Sequence, residues 1–209
     1  MQRFLDIFFS GAAIMVLSPL LLAVILALRV TGEGEIFFRQ SRVGKNNVSF
    51  DLLKFATMLK NSENIGAGTV TLKDDFRVLP LGKFLRKTKI NELPQLFNIF
   101  IGHMSVIGPR PLHHKQFSFY SEGDQKIIVS VKPGLSGVGS IIFRDEEKIL
   151  QNSRDPDTTY KEEITPKKAA LEKWYVRNKS IGLYFKLIFL TVIAVASSDI
   201  DMKRFFRDL

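Results

Sequence analysis

The chain has 209 residues, no cysteine and a formal net charge of +9, from 30 Lys and Arg residues against 21 Asp and Glu residues. Its length suits a single domain with a sizeable core. The absence of cysteine excludes disulfides, thiolate zinc sites and cysteine nucleophiles. The basic excess favours an anionic partner, for which nucleic acid, phosphorylated substrates and anionic lipids all qualify.

The first predicted element is an apolar helix from Ile7 to Leu28, which contains no charged residue. A helix needs about 20 apolar residues to cross the core of a bilayer. The segment ends in RVTGEGE rather than in a small-residue cleavage site, so we interpret it as retained. Pro19 removes a backbone hydrogen bond, so we expect a kink there, with the Ser18 hydroxyl available to the freed carbonyl.

Two membrane topologies are compatible with this segment. One is a plain spanning helix with a tolerated proline, and the other is a helical hairpin that enters and leaves the same leaflet. Arg3 precedes the segment and Arg29 follows it, and basic residues at both ends are consistent with two cytoplasmic ends. The residues alone leave both topologies open.

Residues 35–55 predict a β-hairpin, because two strand-like runs flank the turn sequence RVGKNN. The hairpin carries Arg42 and Lys54. Residues 61–75 read as a polar loop, and residues 81–90 as a short basic helix or loop.

A helix is predicted from residue 92 to about 101, with Leu93, Leu96, Phe97 and Phe100 on one buried face. Asn91 is a good N-cap residue, and Glu92 in the first turn is favoured by the helix dipole and expected to be ionised. Farther along, Arg110 stands between two prolines, which predicts a stiff extended segment.

The C-terminal third is predicted to contain a Gly-rich turn region, a short β-like run and an acidic helix start within residues 131–152. A helix follows over residues 167–178. The apolar segment 181–196 is interrupted by Lys186 and is short for a membrane span, so it predicts an interfacial or core helix.

Several motifs together resemble the bacterial sugar transferases, the small monotopic polyprenyl-phosphate phosphoglycosyl transferases. They are the apolar start with SP, RVGK, LLKFATM, LGKFLRKTKINELPQLFNIFIGHMSVIGPRP, VKPGLSG and KWYVRN. The resemblance runs over nearly the whole chain. It implies a mixed α/β, mainly helical fold with a re-entrant membrane helix broken at Ser18 and Pro19, a small β-hairpin and amphipathic interfacial helices.

The resemblance also implies an activity and a location. Such enzymes move a sugar 1-phosphate from a UDP-sugar to undecaprenyl phosphate with Mg²⁺ and release UMP, in the first membrane step of a glycan or exopolysaccharide pathway. The chain would be monotopic at the cytoplasmic face of the bacterial inner membrane. Residues 1–31 would form the re-entrant helix, and residues 32–209 a cytosolic catalytic domain that folds as one unit with it. Membrane lipids are implied partners, a homodimer is compatible, and nucleic acid is not expected.

The resemblance assigns phosphate binding to Lys54, Arg86 and Arg110, and we add Arg42 as a further candidate. Phosphoryl transfer depends mostly on positioning and charge neutralisation, for which Arg residues on rigid supports are suited. Glu92 is expected to bind the metal or to act as a general base.

One departure from the family pattern concerns its nucleophilic Asp, because Asn91 stands at that position. A neutral amide is a very poor nucleophile, so the covalent phosphosugar intermediate cannot simply be carried over. The residue types also allow Asn91 to be an ordinary helix cap.

Two further departures are His103 in place of an Asp, and FRDEE in a region where the family has an Asn-Gly-Arg type of sequence. The second introduces Asp145, Glu146 and Glu147. We hypothesise that Asp145 or Glu146 binds Mg²⁺ with Glu92, and that one of them replaces the lost nucleophile. Alternatively, these residues only begin an acidic helix.

Three explanations of Asn91 therefore stay open: a relocated carboxylate, direct attack by a polyprenyl phosphate that Glu92 activates, and an engineered substitution that traps an inactive enzyme. Two competing functions follow. One is a catalytically inactive homologue that binds UDP-sugar or lipid carrier as an assembly or regulatory partner. The other is a membrane-tethered nucleic-acid-binding protein, which no motif supports.

Overall fold

The computed structural model describes residues 1–64, 75–151, 153–197 and 200–206. The described part is mainly helical, which confirms the predicted fold class. Its α-helices are α1 Gln2–Val30, α2 Pro80–Lys87, α3 Gln95–Ile101, α4 His114–Phe117, α5 Glu122–Ile128, α6 Val138–Ile142, α7 Glu146–Gln151, α8 Pro156–Thr159, α9 Thr165–Asn178 and α10 Ile181–Ala196. Its strands are β1 Phe37–Val43, β2 Ser49–Phe55, β3 Ser105–Ile107 and β4 Gly134–Ser136. Most of the loop predicted over 61–75 lies outside the described residues.

The chain forms two compact units. The membrane-helix unit comprises residues 7–40 and 51–100, and the C-terminal unit comprises residues 1–6, 41–50 and 101–209. The domain boundary predicted at residue 31 stays a prediction.

Helix α1 is continuous through Pro19 and, among the described residues, is the one helix long and apolar enough to cross a membrane by length and composition. The Ser18 hydroxyl donates to the Met15 carbonyl at 2.8 Å. This carbonyl is the one that the missing N–H of Pro19 leaves without its usual donor, so the predicted compensation is confirmed. The helix does not end at Ser18 or Pro19, and the re-entrant path stays a prediction.

One face of α1 packs within the membrane-helix unit. Leu21, Val24 and Leu28 form a core with Phe55 of β2 and Leu85 of α2. The opposite face of α1 is exposed and apolar, as shown by Leu20, Leu22 and Leu26. The helix therefore has one side packed against protein and an exposed apolar side.

The predicted hairpin is confirmed as a two-stranded sheet of β1 and β2. Its turn includes Asn46 and Asn47, which have φ angles of 56° and 62°. Asn tolerates this left-handed region better than most residues, because its short polar side chain can hydrogen-bond locally.

The helix predicted from residue 92 begins later, because a 3₁₀ turn over Ile90–Glu92 precedes α3. The predicted apolar stripe is partly wrong, since Phe97 and Phe100 are 38% and 46% exposed. Asn98 is buried instead, where its amide donates to the Asp51 carbonyl at 2.8 Å and accepts from the Leu53 N–H at 2.9 Å. The inner face of α3 thus satisfies the backbone of β2, and this turns the phenylalanines outward.

The segment around residue 134 differs from its prediction. β4 pairs in parallel with β3, with Ser105 opposite Gly134 and Ile107 opposite Ser136. The β-like run expected just after it is helix α6, so that part of the prediction is wrong. The predicted helices over 167–178 and 181–196 are confirmed as α9 and α10.

Candidate active site

The membrane-helix unit places Asn91 and Glu92 in the 3₁₀ turn that follows α2. Asn91 is 8% exposed, and its Oδ1 has no hydrogen-bond partner among the described residues. The prediction that Asn91 caps the helix is therefore wrong, and the flanking position before the turn is taken by Lys89 with a φ of 60°. A buried amide oxygen without a donor costs about 1–3 kcal/mol, which makes it a candidate to receive a cation or a donor.

Two predicted phosphate-binding residues belong to the same unit. Arg86 lies in the last turn of α2, directly before the Asn91 and Glu92 turn, and Lys54 lies near the end of β2. Both side chains are half-buried, and both make contacts within the protein. The membrane-helix unit therefore holds two of the predicted cations, the amide and one carboxylate.

The C-terminal unit holds Arg110 on the non-helical segment that follows β3. The Arg110 side chain is exposed, while its main-chain N–H donates to Glu172 Oε1 at 3.4 Å. The carbonyl of Pro109 accepts from the Gly134 N–H at 2.8 Å. An added Cβ at Gly108 would lie 2.5 Å from the Lys132 carbonyl oxygen, so only glycine fits at the start of this segment.

Glu172 is a buried residue of α9 that the sequence analysis did not single out. Burial raises its pKa. The Arg110 N–H and the charges of Lys168 and Arg110 offset part of this effect, and the resulting pKa is about 7. The sequence carried little signal for Glu172, because the buried face of α9 that it shares with Thr165, Lys168 and Tyr175 is largely polar, and polar helix residues are usually solvated.

An ion pair between Lys168 and Glu146 lies beside this carboxylate. Lys168 is 4% exposed, and burial lowers the pKa of its ammonium group, which the charge of Glu146 partly restores. The Lys168 ammonium also lies 5.5 Å from the centre of the Tyr160 ring. Burial and Glu146 raise the pKa of Tyr160, while the positive charges of Arg110 and Arg42 lower it. The charges of Arg42 and Arg110 therefore both act on Tyr160.

The predicted acidic ligands Asp145 and Glu146 both have basic partners. Asp145 lies 3.4 Å from Arg144, whose guanidinium also donates to the Ser197 and Ile200 carbonyls beyond α10. Within the described residues, no group of three His, Asp or Glu side chains is arranged to hold a metal ion. The Mg²⁺ site predicted from Glu92, Asp145 and Glu146 stays a prediction, and the side chain of Glu147 lies outside the described part.

Comparison with known proteins resolves the family. Residues 1–198 match the family model described as bacterial sugar transferase. The chain belongs to the bacterial sugar transferase family. The resemblance carried by the GPRP, KINELPQLFN and VKPGLSG motifs is therefore confirmed.

Three relatives illustrate the range of this family. The chain is 36% identical over 197 residues to a UDP-glucose:undecaprenyl-phosphate glucose-1-phosphate transferase of Klebsiella pneumoniae, covering 91% of the chain and 39% of that protein. It is 35% identical to a UDP-N-acetylgalactosamine-undecaprenyl-phosphate N-acetylgalactosaminephosphotransferase of Aeromonas hydrophila, covering 91% of the chain and 42% of that protein. It is 31% identical to the exopolysaccharide production protein PSS of Rhizobium leguminosarum bv. phaseoli, covering 93% of the chain and 94% of that protein.

These alignments differ in how much of the relative they cover. The chain spans about two fifths of the length of the first two relatives. It spans nearly all of the third.

Proposed function

We propose that this chain is a UDP-sugar:undecaprenyl-phosphate sugar-1-phosphate transferase. The observation that carries the proposal is the match over about nine tenths of the chain to relatives named for this transfer. The exopolysaccharide relative of similar length supports a role in exopolysaccharide or glycan assembly.

The proposed chemistry needs cations at the phosphates of both substrates. A sugar-linked phosphorus passes through a transition state whose charge is spread over its oxygens, so catalysis depends on positioning and neutralisation. Arg110 presents an exposed guanidinium from a segment that is held by hydrogen bonds at the Pro109 carbonyl and at the Arg110 main-chain N–H. We assign Arg110 and Arg42 to phosphate binding in the C-terminal unit, and Arg86 and Lys54 to phosphate binding in the membrane-helix unit.

Mg²⁺ is the proposed cofactor, and the oxygens of Asn91 and Glu92 fit it. Mg²⁺ prefers carboxylate and amide oxygens and often uses one or two protein ligands together with substrate phosphates. The Asn91 Oδ1 is buried without a partner in the described part of the chain, and Glu92 is the next residue of the same turn. When bound there, the ion would neutralise phosphate charge. Glu146 fits less well, because its carboxylate is paired with Lys168.

We propose direct transfer rather than a covalent protein intermediate. An oxygen of undecaprenyl phosphate attacks the sugar-bearing phosphorus of the UDP-sugar and forms a new P–O bond. The bond between that phosphorus and the UMP phosphate oxygen breaks, and UMP leaves with the electron pair. The neutral amide of Asn91 cannot serve as the nucleophile, and Asp145 and Glu146 both have basic partners.

The proposed location is the cytoplasmic face of the bacterial inner membrane, with α1 entering one leaflet only. Leu21, Val24 and Leu28 pack against β2 and α2, and α2 carries the exposed cations Lys83 and Lys87. That half of α1 therefore cannot be surrounded by lipid. The remaining apolar residues, 7–20, would span about 21 Å, which is less than the roughly 30 Å of a bilayer core.

A second candidate is an inactive homologue that binds UDP-sugar or lipid carrier as a partner in assembly, and Asn91 is the observation that favours it. UMP release measured with a panel of UDP-sugars, undecaprenyl phosphate and Mg²⁺ separates the two. Turnover that depends on the lipid is the expected result. No turnover with any sugar, together with tight UDP-sugar binding, would instead support the inactive homologue. A homodimer stays a prediction, which native mass spectrometry in detergent tests.

A further inference from the structure

We propose that Glu172 is a positioning residue for Arg110, whose phosphate contact it fixes by holding the main chain of the segment Pro109 to Pro111. What Arg110 binds rests on the proposed function. The proposal that Glu172 orders this segment rests on the geometry alone.

Few main-chain hydrogen bonds can hold this segment in place. Pro109 and Pro111 have no N–H, so Arg110 provides the single main-chain donor of these three residues. That donor is directed at Glu172 Oε1 at 3.4 Å. On the acceptor side, the Pro109 carbonyl receives the Gly134 N–H at 2.8 Å. Without Glu172 the segment would keep the second contact and lose the first.

The Glu172 carboxylate is itself confined. It is 3% exposed, and a Cβ added to Gly139 of α6 would overlap Oε1. The side chain therefore has little freedom to swing away from Arg110. A carboxylate locked in this way sets the position of the N–H that it accepts.

The second carboxylate oxygen faces a different environment. Glu172 Oε2 has no protein partner within the described residues. A cavity of about 20 Å³ is lined by Glu172, Arg110 and Tyr120 together with apolar side chains. This volume is enough for about one water molecule, which we place between Oε2 and the segment that carries Arg110.

The buried carboxylate is costly unless it has a specific partner. Charged and titratable groups near it are Lys168 and Arg110, whose charges favour its ionised form, and Tyr120, whose pKa its charge raises. Lys168 is already paired with Glu146. An apolar residue of similar volume would avoid the desolvation cost, but it could not accept the Arg110 N–H.

Four variants of the full chain, purified in detergent, test the proposal. Glu172→Asp keeps the charge but shortens the reach, Glu172→Leu removes the acceptor, and Glu172→Gln keeps an oxygen acceptor. Glu163→Gln is the control, because Glu163 is exposed just before α9. Hydrogen exchange of a peptide covering residues 108–112 reports the segment, and UMP release reports substrate use.

We expect exchange of this peptide to be at least about threefold faster in the Asp and Leu variants and unchanged in the Gln and control variants. We expect the KM for UDP-sugar to rise about tenfold in the Asp variant, with little change in kcat. If Glu172 acts through Arg110, the same substitution has no further effect on UDP-sugar binding in an Arg110→Ala background.

Unchanged exchange in Glu172→Asp would overturn the proposal. The proposal would also be overturned if Glu172→Asp weakened UDP-sugar binding as much in the Arg110→Ala background as in the wild-type chain. The Asp variant keeps the test decisive if the Leu variant fails to fold. Failure of the proposed function looks different, because the wild-type chain would release no UMP while the exchange result would still stand.

Discussion

Among single residues, some of the candidate site residues could be predicted from the sequence and others could not. Arg110, Arg86, Asn91 and Glu92 were recognisable because they lie in continuous motifs. Glu172 was not, because a lone Glu within a helix is usually a solvated residue, and its burial depends on chain segments distant in sequence. The sequence also did not reveal that Asn91 Oδ1 is buried without a partner among the described residues, since Asn is suited both to capping a helix and to binding a ligand.

The Glu172 carboxyl makes a pH-dependent prediction about stability. Its pKa is about 7 in the folded chain against an ordinary value of 4.5, so the folded state binds the proton more tightly than the unfolded state. Its contribution to stability is therefore greatest below about pH 4.5, falls as pH rises to 7, and stays low above that. The two values correspond to about 3 kcal/mol at most.

Glu172→Gln should remove this loss, because the amide does not ionise. We expect the difference in the free energy of unfolding, variant minus wild type, to increase by up to about 3 kcal/mol from pH 5 to pH 8. Unfolding followed by the fluorescence of Trp174, the single tryptophan, measures the difference. A difference between the two proteins that is the same at both pH values contradicts the buried, titrating carboxyl.

The Lys168 and Glu146 pair makes a second prediction at this scale. Glu146→Gln leaves the buried Lys168 ammonium without its counter-charge, so we expect a loss of about 3 kcal/mol in the free energy of unfolding. Replacing both residues, by Lys168→Met and Glu146→Leu, should recover most of that loss. Urea unfolding of the two variants checks this, and equal losses would show that the charges are not coupled.

Among the elements, α9, α10 and the β1–β2 hairpin were predicted correctly, the hairpin from its RVGKNN turn. Apolar periodicity was a less reliable guide. It failed for α3, where the apolar spacing predicted that Phe97 and Phe100 would be buried. The structure buries Asn98 instead, because its amide satisfies both the Asp51 carbonyl and the Leu53 N–H of β2. It also failed for β4, since three residues of strand beside a glycine turn carry too little pattern to be separated from the helix that follows.

Helix α1 allows a direct test of how its proline is accommodated. Ser18→Ala removes the donor to the Met15 carbonyl. We therefore expect the free energy of unfolding, measured in detergent, to fall by about 1 kcal/mol. The double variant Ser18→Ala, Pro19→Ala restores a backbone N–H to the same carbonyl and should recover that loss. If the double variant is no more stable than Ser18→Ala, the hydroxyl has another role.

At the scale of the whole molecule, the absence of cysteine makes membrane topology measurable. Single cysteines can replace Phe4, which is exposed near the start of α1, and Lys45, which is exposed in the hairpin turn. For a helix that enters one leaflet from the cytoplasm, neither cysteine should react with an impermeant maleimide in intact cells, and both should react after lysis. Labelling of Phe4→Cys from outside would mean that α1 spans the bilayer.

The proposed reaction moves a sugar together with its phosphate, so the fate of the β-phosphorus of the donor distinguishes it from transfer of the sugar alone. The chain, undecaprenyl phosphate, Mg²⁺ and a UDP-sugar labelled at its β-phosphorus are incubated and extracted with organic solvent. We expect the label to enter the lipid phase while unlabelled UMP remains in water, and we expect Arg110→Ala to reduce this transfer at least about tenfold. Label that stays in the aqueous phase, as intact UDP-sugar or as released UDP, would contradict the proposed reaction.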